Sequence, residues 1–94
     1  MKLKRYASIL TDSEYVAAAY VLAHKAGGIY ARSKLYRGLH LGCYHEVKGI
    51  AAHEMRKAVK FACATSNPAC ELQIIGIAFR EGVLEEENRR RYKL

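Results

Sequence analysis

Thr11-Asp12-Ser13-Glu14-Tyr15-Val16-Ala17-Ala18-Ala19-Tyr20-Val21-Leu22-Ala23-His24-Lys25-Ala26-Gly27-Gly28 is the stretch on which the fold turns. Its first four residues have the form of a capping box. The Thr11 hydroxyl can accept from the third helical amide while the Glu14 carboxylate reaches back to the amide of Thr11. Leu10 and Tyr15 stand where a hydrophobic staple packs. From Tyr15 to Ala26 only His24 and Lys25 are polar, and a helix apolar nearly all round belongs inside a domain. Gly27-Gly28 supplies the permissive backbone that ends a helix. The expectation is a central, buried helix over residues 13–26.

Downstream, residues 29–42 read as a shorter helix with a basic face that ends near Gly42. The stretch from Cys43 to Thr65 carries the cleanest amphipathic pattern. At about 100° per residue, Val47, Ala51, Ala52, Met55, Ala58, Val59 and Ala62 gather on one side. His45, Glu46, His53, Arg56, Lys57 and Lys60 gather on the other. Four alanines among those apolar positions imply a close helix–helix approach, and Gly49 is a weak point inside the helix, costing about 1 kcal/mol relative to Ala. Ser66-Asn67-Pro68 is a stop and restart, with Asn67 able to cap and Pro68 suited to the first helical position. Leu72, Ile75, Phe79 and Val83 then recur at helical spacing. A rival strand runs from Glu71 to Phe79, because Leu72-Gln73-Ile74-Ile75-Gly76-Ile77 is rich in β-formers. At the end, Glu85–Arg89, Glu86–Arg90 and Glu87–Arg91 are three pairs at i, i+4, the pattern of a solvated terminal helix. Residues 1–10 fit a short helix or a strand. The fold expected is all-α, one compact domain over residues 1–94 with four to five short helices; the alternative is α+β with a strand near residues 71–79.

The chain has 94 residues, 51% of them hydrophobic and 27% charged. That composition is globular and excludes disordered, collagen-like and linker classes. No apolar run approaches the roughly 18 residues of a membrane span. The basic start, Met1 to Arg5, is followed by too short an apolar run (Tyr6 to Leu10) for a secretory signal. The expected location is the cytoplasm, a reducing compartment in which Cys43, Cys63 and Cys70 stay unpaired. Formal net charge is +7, and all of it arises within residues 1–65, since residues 66–94 hold five basic and five acidic side chains. Such a field attracts a polyanion: nucleic acid, an acidic protein or a nucleoprotein surface. Membrane-surface binding ranks lower, because the large apolar residues beside the charges are needed for a core.

Chemistry-bearing motifs are sparse. Cys43, His45, His53, Cys63 and Cys70 lack the C-x-x-C and H-x-x-x-H pairs of zinc modules, so no metal or cofactor is expected. Cys43-Tyr44-His45-Glu46 and Pro68-Ala69-Cys70-Glu71 look like fragments of a zinc deaminase, but His45 adjoins Glu46 directly and Cys70 has no partner three residues away. There is no phosphate-cradling glycine loop, nucleophile elbow or metalloprotease motif. An enzyme using His45 or His53 beside Glu46 or Glu54 is a distant third hypothesis, and the expectation is a non-enzyme with no catalytic residues.

The run Gly28-Ile29-Tyr30-Ala31-Arg32-Ser33-Lys34-Leu35-Tyr36-Arg37-Gly38-Leu39-His40 interleaves cations with tyrosine. Arg clamps phosphate or reads guanine, Ser donates to phosphate, and Tyr stacks. Over about a dozen residues, Arg32 to Leu39 resembles the recognition helix of helix-turn-helix regulators. It departs from that pattern in a longer turn through Gly27–Tyr30 and in Gly38 within the helix. The candidate nucleic-acid contacts are Lys25, Tyr30, Arg32, Ser33, Lys34, Tyr36, Arg37, Arg56, Lys57 and Lys60, with Arg32, Lys34 and Arg37 leading. The function expected first is a small basic nucleic-acid-binding protein, such as a DNA-binding regulator. The second is a stoichiometric inhibitor or adaptor, of the kind carried by phages and mobile elements, whose basic face docks on an acidic protein or nucleoprotein. The Ala-rich faces suit a monomer core or a homodimer seam equally.

Overall fold

The computed structural model describes residues 11–33 and 49–92. Three helices occupy them: α1, Asp12–Arg32; α2, Ile50–Cys63; and α3, Pro68–Tyr92. Among the described residues the all-α class holds, and in place of the four to five short helices expected there are three, of which α1 and α3 run 21 and 25 residues. Among the described residues there is no strand, and the α+β alternative is overturned because residues 71–79 lie inside α3. The β-rich local composition there yields to tertiary packing, as short-range propensity commonly does. Ile75, Phe79 and Val83 form a buried stripe at helical spacing that a strand would scatter over two faces. The expected elements over residues 1–10 and 34–48, and the staple contact of Leu10, lie outside the described residues.

The start of α1 follows its sequence closely. The Glu14 amide donates to the Thr11 hydroxyl at 3.2 Å and the Thr11 amide donates to the Glu14 carboxylate at 2.9 Å. Its end does not. The helix passes through Gly27-Gly28 and stops only at Ser33, whose extended backbone (φ −73°, ψ 151°) turns the chain and whose N–H donates to the Tyr30 carbonyl. The reason is a helix crossing. A Cβ on Gly27 would stand 2.0 Å from the Phe79 carbonyl oxygen, and one on Gly82 would stand 2.0 Å from that of His24. Both glycines are there to let two backbones touch, and neither is a helix stop.

Gly49 corrects the reading in the opposite sense. It was expected inside a helix over 43–65, yet it caps α2 with φ +77°, in the region that L side chains rarely adopt. Helix α2 therefore begins at Ile50. Pro68 occupies the first position of α3, as expected, and the Glu71 amide donates to the Asn67 carbonyl.

Helix directions follow from the cross-links. Tyr15 packs on Phe61 (ring centroids 5.8 Å apart) and Lys25 reaches Glu54, so α2 runs against α1. Asp12 accepts from Ser66, just before α3, and Arg32 pairs with Glu86 near its end, so α3 runs with α1. The bundle is up-down-up with α1 packed against both partners. Small residues let the helices close: Ala19, Ala23 and Ala26 of α1 meet Ala51, Ala58 and Ala62 of α2 and Ala78 of α3 in one buried cluster. Met55, Ile75, Phe79 and Val83 supply its bulk, each worth about 1.5–3 kcal/mol when fully buried. The centrality expected of α1 holds, but not its burial all round, since Val21 is 63% exposed.

Candidate nucleic-acid interface

The outward face of α2 is built by its period. With Ala51, Met55, Ala58 and Ala62 turned into the core, His53, Arg56, Lys57 and Lys60 are left exposed along one stripe. From His53 to Lys60 the stripe spans about 10 Å of helix axis. Lys57 lies 3.3 Å from the carboxylate of Glu54. Arg56 and Lys60 have no carboxylate partner among the described residues.

The other expected contacts are placed differently. Lys25 and Arg32 lie on α1, where each is tied to a buried carboxylate. Arg32 Nη1 donates to Glu86 Oε1 at 3.0 Å, and Lys25 stands 3.8 Å from Glu54. Tyr30 is buried with its ring 5.8 Å from that of Phe79, so it has no free face for a base. Ser33 caps the end of α1. Residues 27–30, read as the turn of a helix-turn-helix, are helical. Lys34, Tyr36 and Arg37 lie outside the described residues, as do Cys43, His45 and Glu46.

Sequence reasoning missed the two carboxylates that organise these cations. Glu86, expected in a solvated face, is 6% exposed. It gathers Arg32 from α1, Arg89 at 3.7 Å and Arg90 at 3.8 Å from its own helix. Of the three i, i+4 pairs expected, Glu86–Arg90 forms, while Glu85 turns to His24 of α1 at 3.4 Å. Glu54 is the counterpart on α2, bridging Lys25 and Lys57. Each buried carboxylate thus fixes its helix against α1. The signal available in the sequence was their phase: at 100° per residue Glu54 falls beside Met55 and Ala58, and Glu86 beside Val83. His53 is exposed and Glu54 is buried, about 100° apart around α2, and Glu54 is engaged by Lys25 and Lys57.

A second unanticipated group lies between α1 and α3. Tyr20 stacks on His24 with ring centroids 6.3 Å apart and planes 19° apart, and its hydroxyl donates to Glu81. That bond to a carboxylate pushes the phenol above its ordinary value. Burial does the same to Tyr15, whose hydroxyl finds no partner among the described residues. At the base of the bundle the Ser66 amide and hydroxyl donate to Asp12, and these bonds hold that carboxyl below its usual range.

Among the described residues no cluster of three or more His, Cys, Asp or Glu could hold a metal ion. Cys63 and Cys70 are free and exposed. No helix among them is long and apolar enough to cross a membrane. Comparison with protein-family models, curated proteins and solved structures finds no match for this chain.

Proposed function

We propose that this protein binds nucleic acid, with the outward stripe of α2 contacting phosphates. The observation that carries the reading is the exposed series His53, Arg56, Lys57 and Lys60, in which Arg56 and Lys60 are uncommitted to any carboxylate among the described residues. Lys25 and Arg32 then act from behind, fastening Glu54 and Glu86 so that the helices hold their places. The charge balance agrees. The described residues carry nine basic and eight acidic side chains, while the other stretches, which include Lys34 and Arg37, carry seven basic and one acidic. That excess adds to the attraction for a polyanion.

A labelled oligonucleotide, single- or double-stranded, tests this by fluorescence anisotropy over a salt series. Binding should be micromolar or tighter at low salt and fall linearly on logarithmic axes. Changing Arg56→Gln and Lys60→Gln together should weaken it and lower the slope by about 1.8 on duplex DNA, the loss of two phosphate contacts at ~0.9 each. Absence of binding at low salt overturns the reading and leaves the stripe to an acidic protein surface, which a Lys60→Gln-sensitive capture of an acidic partner would then identify.

A further inference from the structure

The exposed flank of α1 carries an aromatic ring, an aliphatic side chain and a lysine side by side. Tyr20 is 37% exposed and Val21 63%. Both line two shallow depressions that follow one another along α1. One, of about 530 Å³, runs past Val16 and Ala17 to Ser13 and Asp12. The other, of about 330 Å³, is bordered by His24 and Lys25. The Tyr20 ring is already fixed in place. His24 stacks on it with planes 19° apart, and its hydroxyl donates to Glu81 of α3. His24 is held in turn by Glu85, 3.4 Å from its Nε2. A ring fixed in this way loses little freedom when a second flat group is laid against it.

Charge is placed unevenly around this ring. On the α3 side stand Glu81 and Glu85, and at the far end of the longer depression Asp12, bonded to Ser66. On the α2 side stands Lys25, whose ammonium lies 3.8 Å from Glu54, while that of Lys57 lies 3.3 Å from the same carboxylate. Two lysines on one carboxylate leave this edge positive. It also joins the depressions to the cationic stripe of α2, since Lys57 belongs to both. Between the contacts of Tyr15 with Phe61 and of Lys25 with Glu54, Tyr20 and Val21 stand level with Lys57. A phosphate backbone is thus repelled from the α3 side and drawn to the α2 side, with the ring beside it.

We propose that Tyr20, with Val21 beside it, is a stacking platform for an unpaired base of a nucleic acid whose phosphates lie on the α2 stripe, which makes a single strand the preferred ligand. The proposal rests on the phosphate-binding role of α2 and names its substrate class. Inside a duplex both faces of a base are covered by its neighbours, so only an unpaired base can lie on a protein ring. A positive track beside an aromatic platform is the arrangement that holds single strands without regard to sequence.

The test compares three labelled ligands by fluorescence anisotropy: a single strand of about 12 nucleotides, an abasic strand of the same length, and a blunt duplex. The full chain should bind the single strand at least about fivefold more tightly than the abasic strand, the effect of one stacked base. The salt slopes of the two should agree, because their phosphates are the same. Tyr20→Leu should weaken single-strand binding at least about fivefold at unchanged slope and leave duplex and abasic binding alone. Tyr20→Phe, by keeping the ring, should recover most of that loss. Val21→Glu, at an exposed position, should also weaken single-strand binding, with helicity by circular dichroism retained. In spectra of the isotope-labelled chain, the amides of Tyr20, Val21 and His24 should shift with the single strand and not with the duplex. Single-strand binding that falls with salt but ignores Tyr20→Leu and Val21→Glu overturns the platform and leaves the α2 stripe standing. Equal affinity for intact and abasic strands does the same. Absence of binding to every strand at low salt overturns both.

Discussion

Adding one methyl group to Gly27 probes the crossing of α1 and α3 directly. The new Cβ would stand 2.0 Å from the Phe79 carbonyl oxygen and 2.9 Å from the Val83 nitrogen. A carbon resting on a carbonyl oxygen needs about 3.3–3.6 Å. Both obstacles are backbone and cannot rotate aside, so the helices must part by more than about 1 Å, loosening Ala23, Ala26 and Phe79 with them. Overpacking of this kind costs about 1–3 kcal/mol, here at the upper end. The gain in helix propensity from Gly to Ala returns about 1 kcal/mol. Gly27→Ala should therefore lose about 2 kcal/mol, or about 8–16 °C in Tm for a domain of this size. Gly28→Ala is the internal control. Its Cβ would meet only Arg32 Nη1, at an ordinary 3.5 Å, so the propensity gain of about 0.5–1 kcal/mol survives and Tm should rise. Thermal melts followed by circular dichroism, with urea titrations to check that the slope m is unchanged, measure both. A Gly27→Ala protein as stable as Gly28→Ala would refute the backbone-to-backbone crossing.

Two further outcomes follow from the polar cross-links. Glu86→Ala should destabilise by about 1–3 kcal/mol, since it removes a buried carboxylate whose arginine partners are half-exposed and can turn to water; a double-mutant cycle with Arg32→Ala should show coupling of at least about 0.5 kcal/mol, and additivity would remove the α1–α3 tie. The bonds from Ser66 hold the folded-state pKa of Asp12 below its ordinary value of 3.8. The stability they contribute is thus complete above that value and is lost as pH falls through the folded pKa. Tm should drop on acidification below about pH 4, and more gently in Asp12→Asn; parallel curves for the two proteins would show that this clamp does not matter.

The parts of the bundle that could be read in the sequence are those decided within a few residues of themselves. The capping box at Thr11–Glu14, the restart at Pro68 and the buried stripe of Ile75, Phe79 and Val83 each depend on spacing along one chain segment, and each stands where the sequence puts it. The exposed cations of α2 are legible for the same reason, because a 3.6-residue period that buries Ala51, Met55, Ala58 and Ala62 must leave His53, Arg56, Lys57 and Lys60 outside. Glycine misleads where its meaning is set by a neighbour in space. Gly27-Gly28 resembles a helix stop and is a crossing, while Gly49 resembles a flaw within a helix and is its boundary.

By itself, then, the sequence determined that the chain is helical, where two of its helices start, which apolar residues face inward and which face of α2 is basic. All of this follows from capping chemistry and periodicity, which act over one or two turns. Only the tertiary structure decided which cations are already spent. Lys25 and Arg32 look as available as Arg56 and Lys60 along the chain, but Glu54 and Glu86 are brought beside them from other helices, 29 and 54 residues away in sequence. The bond from Tyr20 to Glu81 and the pairing of His24 with Glu85 exist only because α1 and α3 lie together. Burial and pairing sort charges in space and are blind to their order in sequence.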